Sequence, residues 1–291
     1  MIYKNIIGHI VDGVLGYGAQ DIHSIEQLNG GLTNSSYLVE VADKKYVFRL
    51  PGKDTEKIIN RKHEKIALEL AKQLGIDPTY IAMNPNHGWK ISAYEEGCRM
   101  PDYQNFEDSK KVIAKIKELH EKKAHVDWSF EPWYDAVRLE KLIYDWKEFD
   151  LSLRDKVFKI FKTVEYDRLT EKCFCHCDTY APNFLIKDDN VIMLDWEYAG
   201  EADPAVDVAY YIVDAMYDTE AAEKFINQYL GEHSSPAMMQ HFLAYIPVVA
   251  YYWYIWALFR EQSGAVLSHA KRVWYKMAEK YADYYLEKYE G

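Results

Sequence analysis

The chain is short of cysteine and of positive charge, and it contains no internal repeat, low-complexity tract or long linker. Its four cysteines in 291 residues are Cys98 and a cluster of Cys173, Cys175 and Cys177. Strand alternation would send the clustered thiols to one face, but disulfides between i and i+2 are geometrically poor. No second Cys/His pair stands at zinc-site spacing. The cysteines are therefore read as small buried hydrophobes in a reducing, cytoplasmic setting. Lys and Arg number 35 against 46 Asp and Glu, a formal charge of −11. That balance excludes a binder of nucleic acid or of an anionic membrane, since both need a basic face. The N-terminal MIYKNIIGHIVDG has too short an apolar run and no small-residue cleavage site, so no signal peptide is expected. GYGAQD at 16–21 is one glycine short of a dinucleotide fingerprint, and Ala67 breaks the HExxH pattern that His63-Glu64 begins.

What is present is 49% hydrophobic and 28% charged residues, enough for a large core and for two lobes. FLAYIPVVAYYWYIWALF at 242–259 is at the lower limit of a membrane span. Pro247, four tyrosines and the lack of a basic flank on the His241 side favour a buried helix instead. Before it, the periodicity predicts a helix over 2–16, strands over 22–28, 36–41 and 45–50, and a helix over 58–74 with Ile59, Ile66, Leu70 and Leu74 on its apolar face. An edge strand over 88–93 and a flexible joint over 94–97 follow. Helices are then expected over 109–122, 133–146, 153–164, 207–216, 219–230, 236–261 and 267–289, interrupted by a hairpin over 183–194. The expectation is an α+β fold: a sheet lobe over 1–93, the joint, and a larger, mainly helical lobe over 98–291.

The chemistry centres on 173–207. His176, Asp178 and Asn183 fit H-x-D-x-x-x-x-N, a spacing in which phosphotransferases place a substrate-activating carboxylate five residues before a metal-binding amide. Asn183 to Lys187, the turn 188–190, and Val191 to Leu194 form a hairpin that brings Asn183 and Asp195 together. Phosphoryl transfer from ATP needs Mg²⁺, which takes oxygen ligands. Asn183 and Asp195 would supply them, with Glu197 a second candidate. Asp178 would accept the proton of an incoming hydroxyl, and His176 would brace the loop. An ordinary acidic hairpin accounts for any one of these residues, but much less well for the ordered set. Upstream, Gly30, Gly31, Thr33, Asn34 and Ser35 form a turn between strands whose backbone N–H groups and short hydroxyls suit phosphate oxygens.

HCDTYAPNFLI, LDWEYAG, Asp203-Pro204 to Asp207, GGLTNSSYLV at 30–39 and YVFRLPG at 46–52 together resemble the choline/ethanolamine kinase group of the aminoglycoside-phosphotransferase-like kinases. The resemblance covers most of the chain and implies a protein-kinase-like two-lobe fold using ATP and Mg²⁺. It assigns Arg49 to the α/β-phosphates, Glu64 to holding Arg49, the backbone of the joint around Glu95 to adenine, and Asp207 to bracing the catalytic loop and capping its own helix. Two departures are Cys177, where many members have Asn, and Pro182. Trp253 and Trp256, three apart on a late helix, resemble the paired tryptophans with which such kinases hold a quaternary ammonium; core packing is the alternative. The implied acceptor is a small-molecule hydroxyl, choline first and ethanolamine next, with aminoglycosides and other small alcohols as competitors. A non-catalytic nucleotide-binding module is the alternative from another class, opposed by the joint retention of Asp178, Asn183 and Asp195.

Overall fold

The computed structural model describes residues 2–28, 34–52, 55–167 and 169–290. Gly30, Gly31 and Thr33 of the expected phosphate turn lie outside the described residues. The chain divides into two compact units, Met1–Cys98 with Asp195–Glu197, and Arg99–Leu194 with Tyr198–Gly291. Asp195 and Glu197 thus group with the first unit, although the sequence reading placed them in the helical lobe.

The first unit holds α1 (Ile2–Ile10), the strands β1 (Ile22–Gln27), β2 (Ser35–Val41) and β3 (Lys44–Leu50), the helix α2 (Arg61–Gln73), and the strands β4 (Tyr80–Asn84) and β5 (Trp89–Ala93). The five strands are antiparallel in the order β1-β2-β3-β5-β4. β5, expected at the edge, is interior, and β4, which the sequence reading missed, is the edge. Alternation in β2 and β3 turns Tyr37, Val39, Val41, Tyr46 and Phe48 to one face, where Ile7, Ile10 and Val11 cover them. The opposite face of β3 carries Arg49, directly paired with Lys90 of β5.

Asn60 caps α2, its side chain accepting from the Lys62 and His63 amides. The helix buries Arg61, Glu64, Ala67, Leu68 and Ala71, whereas Ile66 is 46% exposed. The inward face is therefore one residue out of phase with the apolar stripe expected from Ile66 and Leu70, because two charged residues occupy it.

In the second unit, α3 (Phe106–Glu121), α4 (Pro132–Glu140) and α5 (Leu151–Val164) lead to a short strand β6 (Cys173–Cys175). The hairpin β7 (Phe184–Lys187) and β8 (Asn190–Met193) follows, then β9 (Gly200–Ala202), α6 (Ala205–Asp214), α7 (Thr219–Leu230), α8 (Pro236–Gln262) and α9 (Ser268–Glu290). β6 pairs with β9, and β7 with β8 through Phe184↔Met193 and Lys187↔Asn190. α4 stops at Glu140 instead of running to Trp146. α8 is long and apolar enough to cross a membrane, and every residue from His241 to Arg260 is buried in this unit, against α4, α5, α6, α7 and α9.

Candidate active site

In the first unit, one face of the sheet and one turn of α2 build a compact charge network. Arg49 donates through Nη2 to Glu64 Oε1 and through Nη1 to Asp195 Oδ1 and, at 3.3 Å, to Glu197 Oε2. Arg61 donates to Glu64 Oε2 at 2.6 Å and to Glu197 Oε2 at 3.0 Å. Lys90 donates to Asp195 Oδ1 at 3.0 Å. Arg49 and Lys90 face each other across the ladder, a repulsive pairing that the shared Asp195 carboxylate offsets. Burial works against the Arg49 charge, yet Glu64, Asp195 and Glu197 together hold its pKa above the ordinary value. Burial would likewise raise the Asp195 carboxyl, but Lys90 and Arg49 pull it far below the usual range, so it stays ionised.

Glu64 therefore stands on Arg49, where the sequence placed it. Glu197 stands with Glu64 and Asp195, one carboxylate oxygen of each lying within 4.8 Å of the others. Its Oε2 accepts from Asn34 Nδ2 at 2.9 Å as well as from Arg49 and Arg61, and burial followed by the Asp195 charge pushes its carboxyl up. Asn34 completes a tie, its Oδ1 accepting from Arg61 Nη2 at 3.3 Å and Gly52 N at 3.4 Å. Ser35 is the first residue of β2, paired with Leu50. Glu95 follows β5 and stays outside this network. Arg61 and Lys90 escaped the sequence reading. For Arg61 the available signal was its i,i+3 spacing to Glu64; for Lys90 it was a lysine inside a half-buried strand.

In the second unit, β6 delivers the loop His176–Asn183. Asp207, in the first turn of α6, accepts from His176 N at 2.9 Å and Cys177 N at 2.6 Å, and Thr179 Oγ1 donates to the Asp207 carbonyl at 2.6 Å. Its carboxylate thus serves the loop and not the helix end, which Pro204 occupies. Those bonds hold Cys177 at φ 62°, a left-handed conformation costing a non-glycine residue ~1–2 kcal/mol and best tolerated by Gly, Asn or Asp. An asparagine at this position, as in many members of the group it resembles, would adopt it more readily.

His176 Nε2 faces the Leu194 carbonyl at 2.8 Å, and its Nδ1 faces the Asp178 amide at 3.3 Å. A carbonyl only accepts and an amide N–H only donates, so the ring is neutral with its proton on Nε2. Both nitrogens are used internally, and the imidazole has no lone pair left to act as a base. Asn183 Nδ2 donates to the Asp178 carbonyl at 2.8 Å and to Asp178 Oδ2 at 3.0 Å, which leaves Oδ1 as the ligand-capable end of the amide. The Asn183 carbonyl accepts from Leu194 N at 2.8 Å, so β8 is registered onto the loop. Tyr103, another residue the sequence did not flag, accepts from Ala181 N at 2.6 Å and donates to Asp214, fixing the turn between Asp178 and Asn183.

Trp253 and Trp256 lie on α8 within an aromatic cluster. Tyr210 stacks on Trp253 with centroids 4.7 Å apart and planes at 16°, while Tyr198, Tyr252, Trp256 and Trp274 meet the indole at 5.1–5.7 Å. Tyr180 of the catalytic loop stacks on Tyr210 at 6.4 Å. Burial and then the Asp178 charge push the Tyr210 phenol up. The Trp256 indole N–H donates to the Tyr198 hydroxyl at 2.9 Å. The Trp253 N–H is buried without a hydrogen-bond partner among the described residues.

The sequence model of choline/ethanolamine kinase matches residues 25–290. The chain belongs to the choline/ethanolamine kinase family. It is a small-molecule phosphotransferase with the α+β, kinase-like fold expected from the sequence. Protein LicA of Haemophilus influenzae is 24% identical over 250 residues, 81% of this chain and 73% of that protein. The structure of choline kinase LicA from Streptococcus pneumoniae aligns with TM-score 0.84 at 25% identity, covering 98% of this chain and 100% of that one. A structure of LicA in complex with AMP aligns at TM-score 0.81 and 26% identity, over 97% and 98% of the two chains.

Proposed function

We propose that this kinase uses Mg²⁺ and ATP to phosphorylate the hydroxyl of choline, with ethanolamine the next-best acceptor. The observation that carries the mechanism is the division of labour between His176 and Asp178. With the imidazole locked neutral by Leu194 and the Asp178 amide, the Asp178 carboxylate is the base of the loop. It takes the proton of the acceptor hydroxyl and aligns the oxygen for attack, so the rate comes from positioning and charge stabilisation. Asn183, bonded to Oδ2, orients that carboxylate.

The donor set fits a hard divalent cation. Arg49 and Lys90 both bond Asp195 Oδ1, keeping the carboxylate ionised with Oδ2 as its second oxygen, and Asn183 Oδ1 is the other proposed ligand. Mg²⁺ held there would neutralise charge developing on the phosphates. Arg49, fixed by Glu64, positions Asp195, and its buried Nε–H, unpartnered among the described residues, is the donor proposed for phosphate. The backbone at 94–97, around Glu95, is the proposed adenine contact, and the turn from Gly30 to Ser35 the proposed phosphate cradle. The AMP complex of a LicA at 26% identity supports a nucleotide.

For the acceptor, a quaternary ammonium offers no N–H, so aromatic faces and a nearby negative charge select it. Trp253 is the proposed contact, with Trp256 behind it, because the stack Tyr180–Tyr210–Trp253 runs from the catalytic loop into the aromatic cluster. A coupled ADP assay across choline, ethanolamine and an aminoglycoside tests this. The highest kcat/KM should fall on choline; turnover of the aminoglycoside alone would overturn the acceptor and leave the kinase.

A further inference from the structure

His120 on α3 and Cys173 and Cys175 on β6 bring a ring nitrogen and two thiol sulfurs within 4.8 Å of one another, with all three side chains buried. No zinc-site spacing is visible along the chain because the histidine arrives from a helix more than fifty residues upstream. The sulfurs stand 3.9 Å apart. A tetrahedral ion with Zn–S bonds of ~2.3 Å holds two thiolates about 3.8 Å apart, so strand alternation has already set the two cysteines at the bite of such an ion. A cavity of 580 Å³, lined in part by His120, Cys173, Tyr229, Met238 and Phe242, adjoins the group and supplies a route in and room for a water as fourth ligand.

The histidine is suited to the task. Its Nε2 lies 3.0 Å from Asp207 Oδ2 and its Nδ1 2.8 Å from the Tyr229 hydroxyl. An ion taking Nδ1 displaces only a hydroxyl, and Nε2–H continues to donate to Asp207, the carboxylate–histidine–metal arrangement that orients metal-bound imidazoles. We propose that His120, Cys173 and Cys175 form a binding site for one thiophilic divalent ion, Zn²⁺ by its donor set, at the strand that leads into the catalytic loop. Binding exchanges two thiol protons for the ion and extends the brace of the loop from Asp207 through His120 to the metal.

Co²⁺ is the probe. The reduced, full chain is incubated with Co²⁺, desalted, and examined by absorption and metal analysis. One Co²⁺ per chain is expected, with thiolate charge-transfer absorption in the near ultraviolet, strong tetrahedral ligand-field bands, and stoichiometric displacement by Zn²⁺. Cys173→Ser and Cys175→Ala, checked for native circular dichroism, should each weaken binding at least tenfold and, where Co²⁺ still binds, cut the charge-transfer intensity to about half. Wild-type protein without that band, or a folded variant that keeps its full intensity and affinity, overturns the site. X-ray absorption of the Zn²⁺-loaded wild type needs no variant: a shell of two sulfurs and at least one nitrogen supports the site, and a shell of nitrogen and oxygen alone overturns it.

Discussion

Removing Glu64 should destabilise the first unit far more than an ordinary surface ion pair would. The network balances Arg49, Arg61 and Lys90 against Glu64, Asp195 and Glu197. Glu64 is fully buried, and its two oxygens take Arg49 Nη2 and Arg61 Nη1. Glu64→Leu therefore strands positive charge on two guanidinium groups that are 3% and 8% exposed. Breaking a buried pair from one side costs ~3–5 kcal/mol. At 2–4 °C per kcal/mol this is a fall in Tm of ~6–20 °C. Arg61→Leu should be costly for the mirror-image reason, since it strips one donor from both Glu64 and Glu197. The double variant restores neutrality, so its loss should fall short of the sum of the single losses by ~1–3 kcal/mol. Urea unfolding of the four proteins in a double-mutant cycle measures this. If Glu64→Leu lies within 1 kcal/mol of wild type, or the two losses add within about 0.5 kcal/mol, the six charges do not act as one unit and the reasoning fails.

Three further outcomes are expected. Asp178→Asn should lower kcat by ~10²–10⁴ with little change in the KM for ATP, because an amide cannot take the acceptor proton; steady-state kinetics within a few-fold of wild type would remove Asp178 from the mechanism. Trp253→Leu should raise the KM for choline by about 2- to 30-fold, the equivalent of ~0.5–2 kcal/mol of cation–π attraction, and leave the KM for ATP alone. An equal loss for both substrates would assign Trp253 to the core. His241 lies 2.9 Å from Asp167 Oδ2 through Nδ1 and 2.9 Å from Asp203 Oδ2 through Nε2, and two accepting carboxylates demand an imidazolium. Burial is the largest single influence and opposes its charge, but the hydrogen bonds and charges of Asp203 and Asp167 together outweigh it and raise its pKa above 6.5. A raised folded pKa contributes stability that is fully present below about pH 6.5 and lost as pH climbs through the folded value. Wild-type Tm should accordingly fall more steeply above pH 6.5 than that of His241→Gln, and parallel profiles would contradict the charge.

The features legible in the sequence are local. Asp188-Asp189-Asn190 between two short apolar runs encodes the β7–β8 turn, and Asp188 takes φ 54° there, as Asp readily does. The H-x-D-x-x-x-x-N spacing likewise sits within one loop. Of the long-range partners, Glu64 on Arg49 and Asp207 on the catalytic loop were legible only through the family resemblance, and the rest were not. The order of β5 and β4, and the pairing of Cys173 with Ala202, depend on which distant strand wins a neighbour. Arg61 and Lys90 look like solvated charges until the fold wraps carboxylates around them. The end of α4 was misread because no Gly or Pro marks it, and the apolar residues beyond it, Tyr144 and Trp146, are 76% and 47% exposed.

The burial of α8 sets an order on biosynthesis. Its 27 residues make a rod of ~40 Å, longer than the ~30 Å hydrocarbon layer of a bilayer. Inside the finished unit it is covered on one side by α9, which the ribosome makes afterwards. During translation the nascent chain thus presents an apolar helix, with the composition of a membrane span, that no folding of the earlier helices fully hides. A chain cut after Gln262 keeps every proposed catalytic residue yet leaves that surface open, so it should fall to chaperones, membranes or aggregation and not accumulate as a weakened enzyme.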